Sequence, residues 1–210
     1  MSELDAIARF ARETVTEPEH IARARLHAVE LGAAPVSPAI GAELAVAAAL
    51  VGARTIIEIG TGAGISGLWL MHGAPGAVLT SIESEREHLA VAREAFGRSG
   101  IPMTRARFIS GRAAEVLPRM NEAAYDVVLV DADPAEVVEN VAHGLRLVRP
   151  GGVVLVPRVL QDGRVADPVQ RDEITSAFRS LLQETQDSAA VLPALSTTEE
   201  GLLQLVTKAE

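Results

Sequence analysis

Four short segments hold the side chains whose types and spacing could do chemistry. The first is Glu58-Ile59-Gly60-Thr61-Gly62-Ala63-Gly64-Ile65-Ser66. Glycines at such a spacing let the backbone turn tightly and let a ligand approach it closely. Gly62 to Gly67 also fits the GxGxxG pattern of dinucleotide sites, which alone is a weak signal, and a purely structural turn is the other reading. Glu58 weighs against a pyrophosphate, because its carboxylate would repel one. It suits a ligand with positive charge, and S-adenosylmethionine (SAM), with an ammonium and a sulfonium, is compatible.

The second segment is Glu83-Ser84, 19 residues beyond Gly64. An acid there can accept hydrogen bonds from both ribose hydroxyls of an adenosine, whether of NAD or of SAM. Glu85 and Glu87 are expected in the solvated first turn of the next helix, where acids favour the dipole. The third segment, Ser110-Gly111-Arg112-Ala113, reads equally as a border for an adenine or as a simple helix entry. The fourth is Tyr125 to Pro134, with Asp131 and Asp133 just past an apolar run. That is the rim where open α/β sheets bind ligands. Asp131, Asp133, His20 and His143 are the candidate proton acceptors, with His143 expected to be structural. The five histidines show no metal-ligand spacing, and no GxSxG elbow is present.

The elements that must position these residues follow from periodicity and punctuation. Three helices come first, over Leu4–Val15, Pro18–Leu31 and Ala39–Val51, the last behind a Ser37-Pro38 start signal. Strands are then expected at Thr55–Ile59, Val78–Ile82, Arg105–Ile109, Val127–Val130 and Val153–Val156. Helices alternate with them at Ile65–His72, Arg86–Arg98, Ala113–Arg119 and Val137–Leu147, and Arg149-Pro150-Gly151-Gly152 reads as a turn. This alternation predicts a parallel sheet covered on both faces. After a helix at Arg171–Leu182, Val191–Leu195 and Leu202–Val206 are too close for a crossover. They predict an antiparallel hairpin around Thr198-Glu199-Glu200-Gly201. The expected fold is one α/β domain over residues 1–210, Rossmann-like, with an N-terminal helical extension over 1–35.

Composition narrows the function. The 210 residues carry a net charge of −9 and no cysteine. The acidic balance argues against a nucleic-acid partner, and disulfides, thiol catalysis and cysteine metal sites are excluded. No apolar run approaches the roughly 20 residues of a membrane span. Met1-Ser2-Glu3-Leu4-Asp5 has acids where a signal peptide needs bases, so a cytoplasmic protein without a membrane partner is expected. Alanine fills 35 positions and aromatics only six. Such a core must come from tightly packed helices and sheet.

Together these segments resemble the class I SAM-dependent methyltransferases, and more narrowly the catechol and caffeoyl-CoA O-methyltransferase-like family. The likeness runs from about Val36 to Val206 and rests on Glu58 to Ser66, Tyr125 to Asp133, Val159 to Val165 and the C-terminal hairpin. It is especially close to small actinobacterial members. The resemblance implies a seven-stranded sheet of order 3-2-1-4-5-7-6, a SAM cofactor, a small-molecule acceptor and a homodimer. It implies that Val36, Glu58, Gly60, Thr61 and Ser66, with Gly62 and Gly64 in the loop, surround the amino-acid end of SAM. Glu83 and Ser84 would take the ribose, Gly111 and Ala113 the adenine, and Asp133 would lie against the cofactor. Asp131 would face the acceptor. The family's divalent metal is not carried across: Asp131 matches its first ligand, but the Asp-Asn pair after strand five falls on Pro157 and Arg158. The lysine three positions after the first Asp in many relatives is here Pro134. Two readings of Arg158 stand: it pairs with Asp131 and places a guanidinium where relatives hold the metal, or it points to solvent. O-methylation of a small-molecule hydroxyl is the leading expectation. A SAM-binding protein without catalysis and an NAD-linked oxidoreductase are the alternatives. The scarcity of aromatic walls points to an acceptor unlike a flat catechol.

Overall fold

The computed structural model describes residues 3–30 and 32–208. Met1, Ser2 and Leu31, which the N-terminal expectations include, lie outside the described residues. Helices α1 (Glu3–Thr14), α2 (Glu19–Glu30) and α3 (Pro38–Leu50) precede the first strand. Ser37 caps α3, its hydroxyl accepting from the Ile40 amide at 3.2 Å, with Pro38 in the first turn. Then follow β1 (Thr55–Ile59), α4 (Ile65–Gly73), β2 (Val78–Glu83), α5 (Arg86–Arg98), β3 (Ala106–Ser110) and α6 (Ala113–Val116). Next come β4 (Tyr125–Val130), α7 (Val137–Leu147), β5 (Val148–Pro157), α8 (Glu173–Asp187), β6 (Val191–Ser196) and β7 (Leu202–Thr207).

The seven strands form one sheet of order β3-β2-β1-β4-β5-β7-β6. Strands β1 to β5 pair in parallel, while β7 runs antiparallel to both β5 and β6. Side chains alternate between the faces, as strand geometry requires. Ile56, Val127, Leu129, Val153 and Leu155 pack with α2 to α5. Ile57, Ile59, Val128, Val130, Val154 and Val156 pack with α6 to α8. Burial on both faces accounts for the unbroken apolar runs.

The alanines find their use between α3 and α4. A Cβ on Gly73 would sit 1.9 Å from the Ala45 carbonyl oxygen, and one on Gly41 would enter the Trp69 indole. Larger residues would separate these helices and the loop that α4 supports. Most boundaries shift by one to three residues from the sequence expectation, and those of α8 and β5 shift further. The helix expected to end at Leu182 continues to Asp187. The Arg149–Gly152 turn lies within β5, and the β4–β5 register shifts between Tyr125 and Val127 to absorb it.

Asp126 locks the amino ends of β1 and β4 together. One oxygen accepts from the amides of Arg54 and Thr55, both at 2.8 Å, and the other from Arg149 Nε at 2.5 Å. Burial alone would raise this carboxyl, but Arg149, the two amides and the Thr55 hydroxyl outweigh it and hold it at about 2. A carboxyl held that low stabilises the fold above its ordinary titration near 4 and loses the contribution as pH falls towards 2. Asp126→Ala is expected to cost about 2–3 kcal/mol at pH 7, since it strands two amides and a guanidinium. Urea unfolding at pH 7 and pH 2.5 checks this, the difference from wild type shrinking at the lower pH.

Candidate active site

The glycine turn between β1 and α4 opens a cleft of about 550 Å³ across the carboxyl ends of the central strands. The sheet order reverses direction between β1 and β4, and such a switch point is where open α/β sheets leave a crevice. Gly60, Gly62 and Gly64 all have left-handed backbones, at φ of 94°, 50° and 86°. At Gly60 the chain also passes close to β4: a Cβ would lie 2.1 Å from the Asp131 carbonyl oxygen.

Most of the residues expected at the site line this cleft. They are Val36, Gly60, Thr61, Gly62, Ser66, Glu83, Ser84, Gly111, Ala113, Asp131, Asp133 and Arg158. Two of those expected around the ligand do not. Gly64 caps α4 and packs against Ala92 and Phe96 of α5. Glu58 is fully buried beneath the loop, because it shares the strand face of Ile56, which α4 covers. Its carboxylate accepts from Ser66 Oγ at 2.6 Å and from Ser81 Oγ at 2.5 Å. Ser81 in turn meets Thr61 Oγ1 at 2.6 Å. Burial pushes Glu58 up to about 7, against the two serine hydrogen bonds and with Asp131 and Glu83 adding to the rise.

Glu83, at the end of β2, is fixed by the Gly62 amide at 2.8 Å and the Glu85 amide at 3.0 Å. One carboxylate therefore ties the glycine loop to the start of α5, and Glu83 lines the cleft. His88 stands 3.9 Å from the same carboxylate. Arg25 secures the opposite wall by donating to the Val36 carbonyl at 2.7 Å while paired with Glu17.

At the acceptor end the guanidinium of Arg158 donates to Asp131 and to the Ala34 carbonyl, with Glu200 at 3.4 Å from its Nε. Arg158 has a left-handed backbone, φ 60°, uncommon for a residue with a side chain. Burial raises Asp131 to about 6, Arg158 opposing and Glu200 adding to the shift. Asp133 accepts from the Ala135 amide at 3.0 Å and caps a single 3-10 turn. His20 and His143, the other candidate proton acceptors, are not part of the cleft wall.

Sequence reasoning missed Ser81, His88 and the Ala33–Pro35 segment, while Glu85 is exposed at the start of α5 as expected and also borders the rim. Ser81 is an ordinary strand serine until β1 and β2 pair, which sets it opposite Glu58. Among the described residues, no three acidic or histidine side chains stand together as a metal-ligand set.

A sheet of this order with a glycine-loop cleft at its switch point defines a Rossmann-like methyltransferase fold. Residues 14–201 match the O-methyltransferase family model. The chain belongs to that family. A protein of Mycolicibacterium vanbaalenii carrying the name "Putative O-methyltransferase" is 43% identical over 200 residues, 95% of this chain and 88% of that one. A Mycobacterium tuberculosis relative is 44% identical over 203 residues, 96% of this chain and 91% of that one. Among solved structures, a Corynebacterium glutamicum protein aligns with a TM-score of 0.91 at 27% identity, covering 100% of this chain and 99% of its own. The O-methyltransferase TomG of Streptomyces achromogenes, solved with SAM, aligns at 0.84 with 28% identity over the full length of both chains.

Proposed function

We propose that this protein transfers a methyl group from SAM to a hydroxyl of a small molecule. The observation that carries the reading is the cleft itself, with a buried carboxylate behind hydroxyls at one end and Glu83 beside the loop. These features fit a cationic amino-acid end and a ribose. SAM, when bound, supplies a sulfonium methyl group that passes in line to the acceptor oxygen as the sulfur–carbon bond breaks. Thr61 and Ser66 would hold its amino-acid end, Glu83 and Ser84 the ribose, and Gly111 and Ala113 the adenine. Gly60, Gly62 and Gly64 let the backbone approach, and Val36 and Asp133 close the walls. Orientation in such a cleft can lower the barrier by roughly 7–11 kcal/mol.

The acceptor hydroxyl must lose its proton, and Asp131 is the group we place at that step. An acid with a pKa near the working pH is suited to general-base catalysis. Arg158 fixes it and supplies a permanent positive charge. A divalent metal does not fit this end of the cleft. Hard cations need clustered oxygen donors, whereas Asp131 already holds a guanidinium and Pro157 offers no side-chain donor. Catalysis without added metal is therefore part of the reading.

Thermal-shift titration with SAM and with NAD tests the cofactor, stabilisation by SAM alone being expected. SAM turnover against a panel of phenols, catechols and aliphatic alcohols, with and without a chelator, tests the reaction. Equal rates with the chelator are expected, and strict dependence on Mg²⁺ would exclude Asp131 as a metal-free base and Arg158 as its fixed partner.

We also propose that the enzyme is cytoplasmic and a homodimer. An apolar groove runs between α1 and α3, with Ile7, Ala8 and Ala11 facing Val46 and Leu50. Ile7 is 59% exposed, Val46 57% and Leu50 82%, and Phe10, also on α1, is 73% exposed. Exposed apolar surface of this extent marks an interaction site. Light scattering is expected to give twice the chain mass, and Leu50→Lys to give the monomer. A wild-type monomer at tens of micromolar would end the proposal.

A further inference from the structure

Two hydroxyl residues of the cleft wall, Ser66 and Thr61, are wired to one buried acid. Ser66 donates directly to one oxygen of Glu58, and Ser81 donates to the other while standing 2.6 Å from Thr61. A hydroxyl has one hydrogen to give, and an ionised carboxylate only accepts. With Glu58 ionised, the hydrogens of Ser66 and Ser81 both point inward. Ser81 has then spent its hydrogen, so Thr61 must donate to Ser81. Both hydroxyls in the wall show only lone pairs to the cleft.

Protonating Glu58 reverses one branch. Its new O–H donates to Ser66 or to Ser81, and the displaced hydrogen must go elsewhere. By the first route Ser66 turns a donor into the cleft. By the second, Ser81 donates to Thr61, and Thr61 turns a donor into the cleft. An ammonium has donors only, so it matches the ionised arrangement and opposes the neutral one.

We propose that Glu58 is a positioning residue that sets the hydrogen-bond polarity of Ser66 and Thr61, so that binding a cofactor through its ammonium group requires ionised Glu58 and releases its proton to solvent. This rests on the proposal that SAM is the cofactor. The surroundings leave Glu58 close to balance. Burial disfavours its charge most, the two serines favour it, and Asp131 at the end of β4 and Glu83 at the end of β2 add smaller opposition. From α4 it meets the backbone at Gly67, where a Cβ would lie 3.1 Å from Oε2, and Leu79 and Phe96 line the same spot. No basic side chain faces it from these elements, so a bound cation is the charge that tips it. Asp131, raised to about 6 by burial at the acceptor end, is another group of the cleft that titrates in this range.

Titration calorimetry of the full chain with S-adenosylhomocysteine tests this, in buffers of different ionisation enthalpy between pH 5.5 and 7. That window lies below the ligand's own amino titration, at about 7.7–8.0. Proton release approaching one per site at the acid end is expected, with affinity rising about tenfold across the window. Methylthioadenosine keeps the ribose and adenine but lacks the ammonium, so it reports any proton release that does not depend on the ammonium, that of Asp131 included; with it, no release and a flat affinity are expected. Glu58→Gln is expected to bind S-adenosylhomocysteine about tenfold more weakly at pH 7, without proton release. Ser66→Ala, which keeps the acid but cuts one branch, is expected to weaken the pH dependence. Zero proton release from the wild type, or equal release with methylthioadenosine, overturns the inference while the cofactor reading stands. Failure of both nucleosides to bind at every pH overturns the cofactor reading and this inference with it.

Discussion

Arg158→Met is expected to lower methyl transfer by about a hundredfold or more while leaving SAM affinity within about threefold. The asymmetry follows from where Arg158 acts. It meets Asp131, the Ala34 carbonyl and Glu200, all at the acceptor end, and none of the groups that hold Glu58, Ser66 or Glu83. Asp131 is already raised to about 6 by burial with the guanidinium in place, and Glu200 pushes the same way. Without the guanidinium both remaining influences favour the neutral acid, which cannot accept a proton at pH 7. Wild-type turnover should therefore rise with pH through about 6, and the variant's rise should move to higher pH. Arg158→Lys is expected to fall between, because lysine keeps the charge but not the fork that spans Asp131 and Ala34. The measurement is the pH profile of kcat beside SAM binding for each variant. A methionine variant with wild-type turnover and an unmoved profile would reduce Arg158 to a structural tie.

Gly60→Ala is expected to be the most damaging single-methyl change in the cofactor loop. Two costs coincide there. The backbone at φ 94° is one that side chains rarely adopt, and the new Cβ would overlap the Asp131 carbonyl at 2.1 Å. The overlap cannot be relieved by turning a side chain, because its partner is backbone. That backbone is itself held, the Asp131 amide donating to the Ile59 carbonyl at 2.8 Å. The ends of β1 and β4 must part, moving Asp131 and the loop together. A loss of about 3 kcal/mol or more in stability is expected, and SAM affinity should fall at least roughly a hundredfold, or about 2.7 kcal/mol. Gly62→Ala is the control. It shares the left-handed backbone but meets nothing within 4 Å, so only about 1–2 kcal/mol of conformational cost is expected. Chemical unfolding and SAM titration of the pair decide the matter: if the two variants behave alike, backbone conformation and not the approach of β4 governs this turn.

The sequence alone determined the alternation of strands and helices, the C-terminal hairpin and the loop that opens the cleft. Each depends on neighbours in the chain. Val127 to Val130 can be unbroken and apolar only if both faces are covered, and glycines at 60, 62 and 64 mark a backbone that other residues resist. Glu83 was legible for the same reason, as an acid ending the strand after a glycine turn. The resemblance to a family supplied the sheet order, and the structure has that order.

The partners of these groups were decided by tertiary structure. Glu58 is readable as an acid before the glycines. Whether it faces a ligand or lies beneath the loop depends on strand parity and on which helix covers that face. Ser81 carries no signal until β1 and β2 pair in register. Asp126 is one acid among 28 Asp and Glu residues until β4 lies against β1 and brings it two amides and a guanidinium. Arg158 reaches Ala34 across 124 positions of sequence, and that contact exists only because the ends of β4 and β5 converge on the N-terminal segment. Periodicity, caps and backbone preference are local energies and are written locally. Hydrogen bonds that set protonation states join chain segments far apart, so they are fixed only once the sheet has brought its strand ends to one edge.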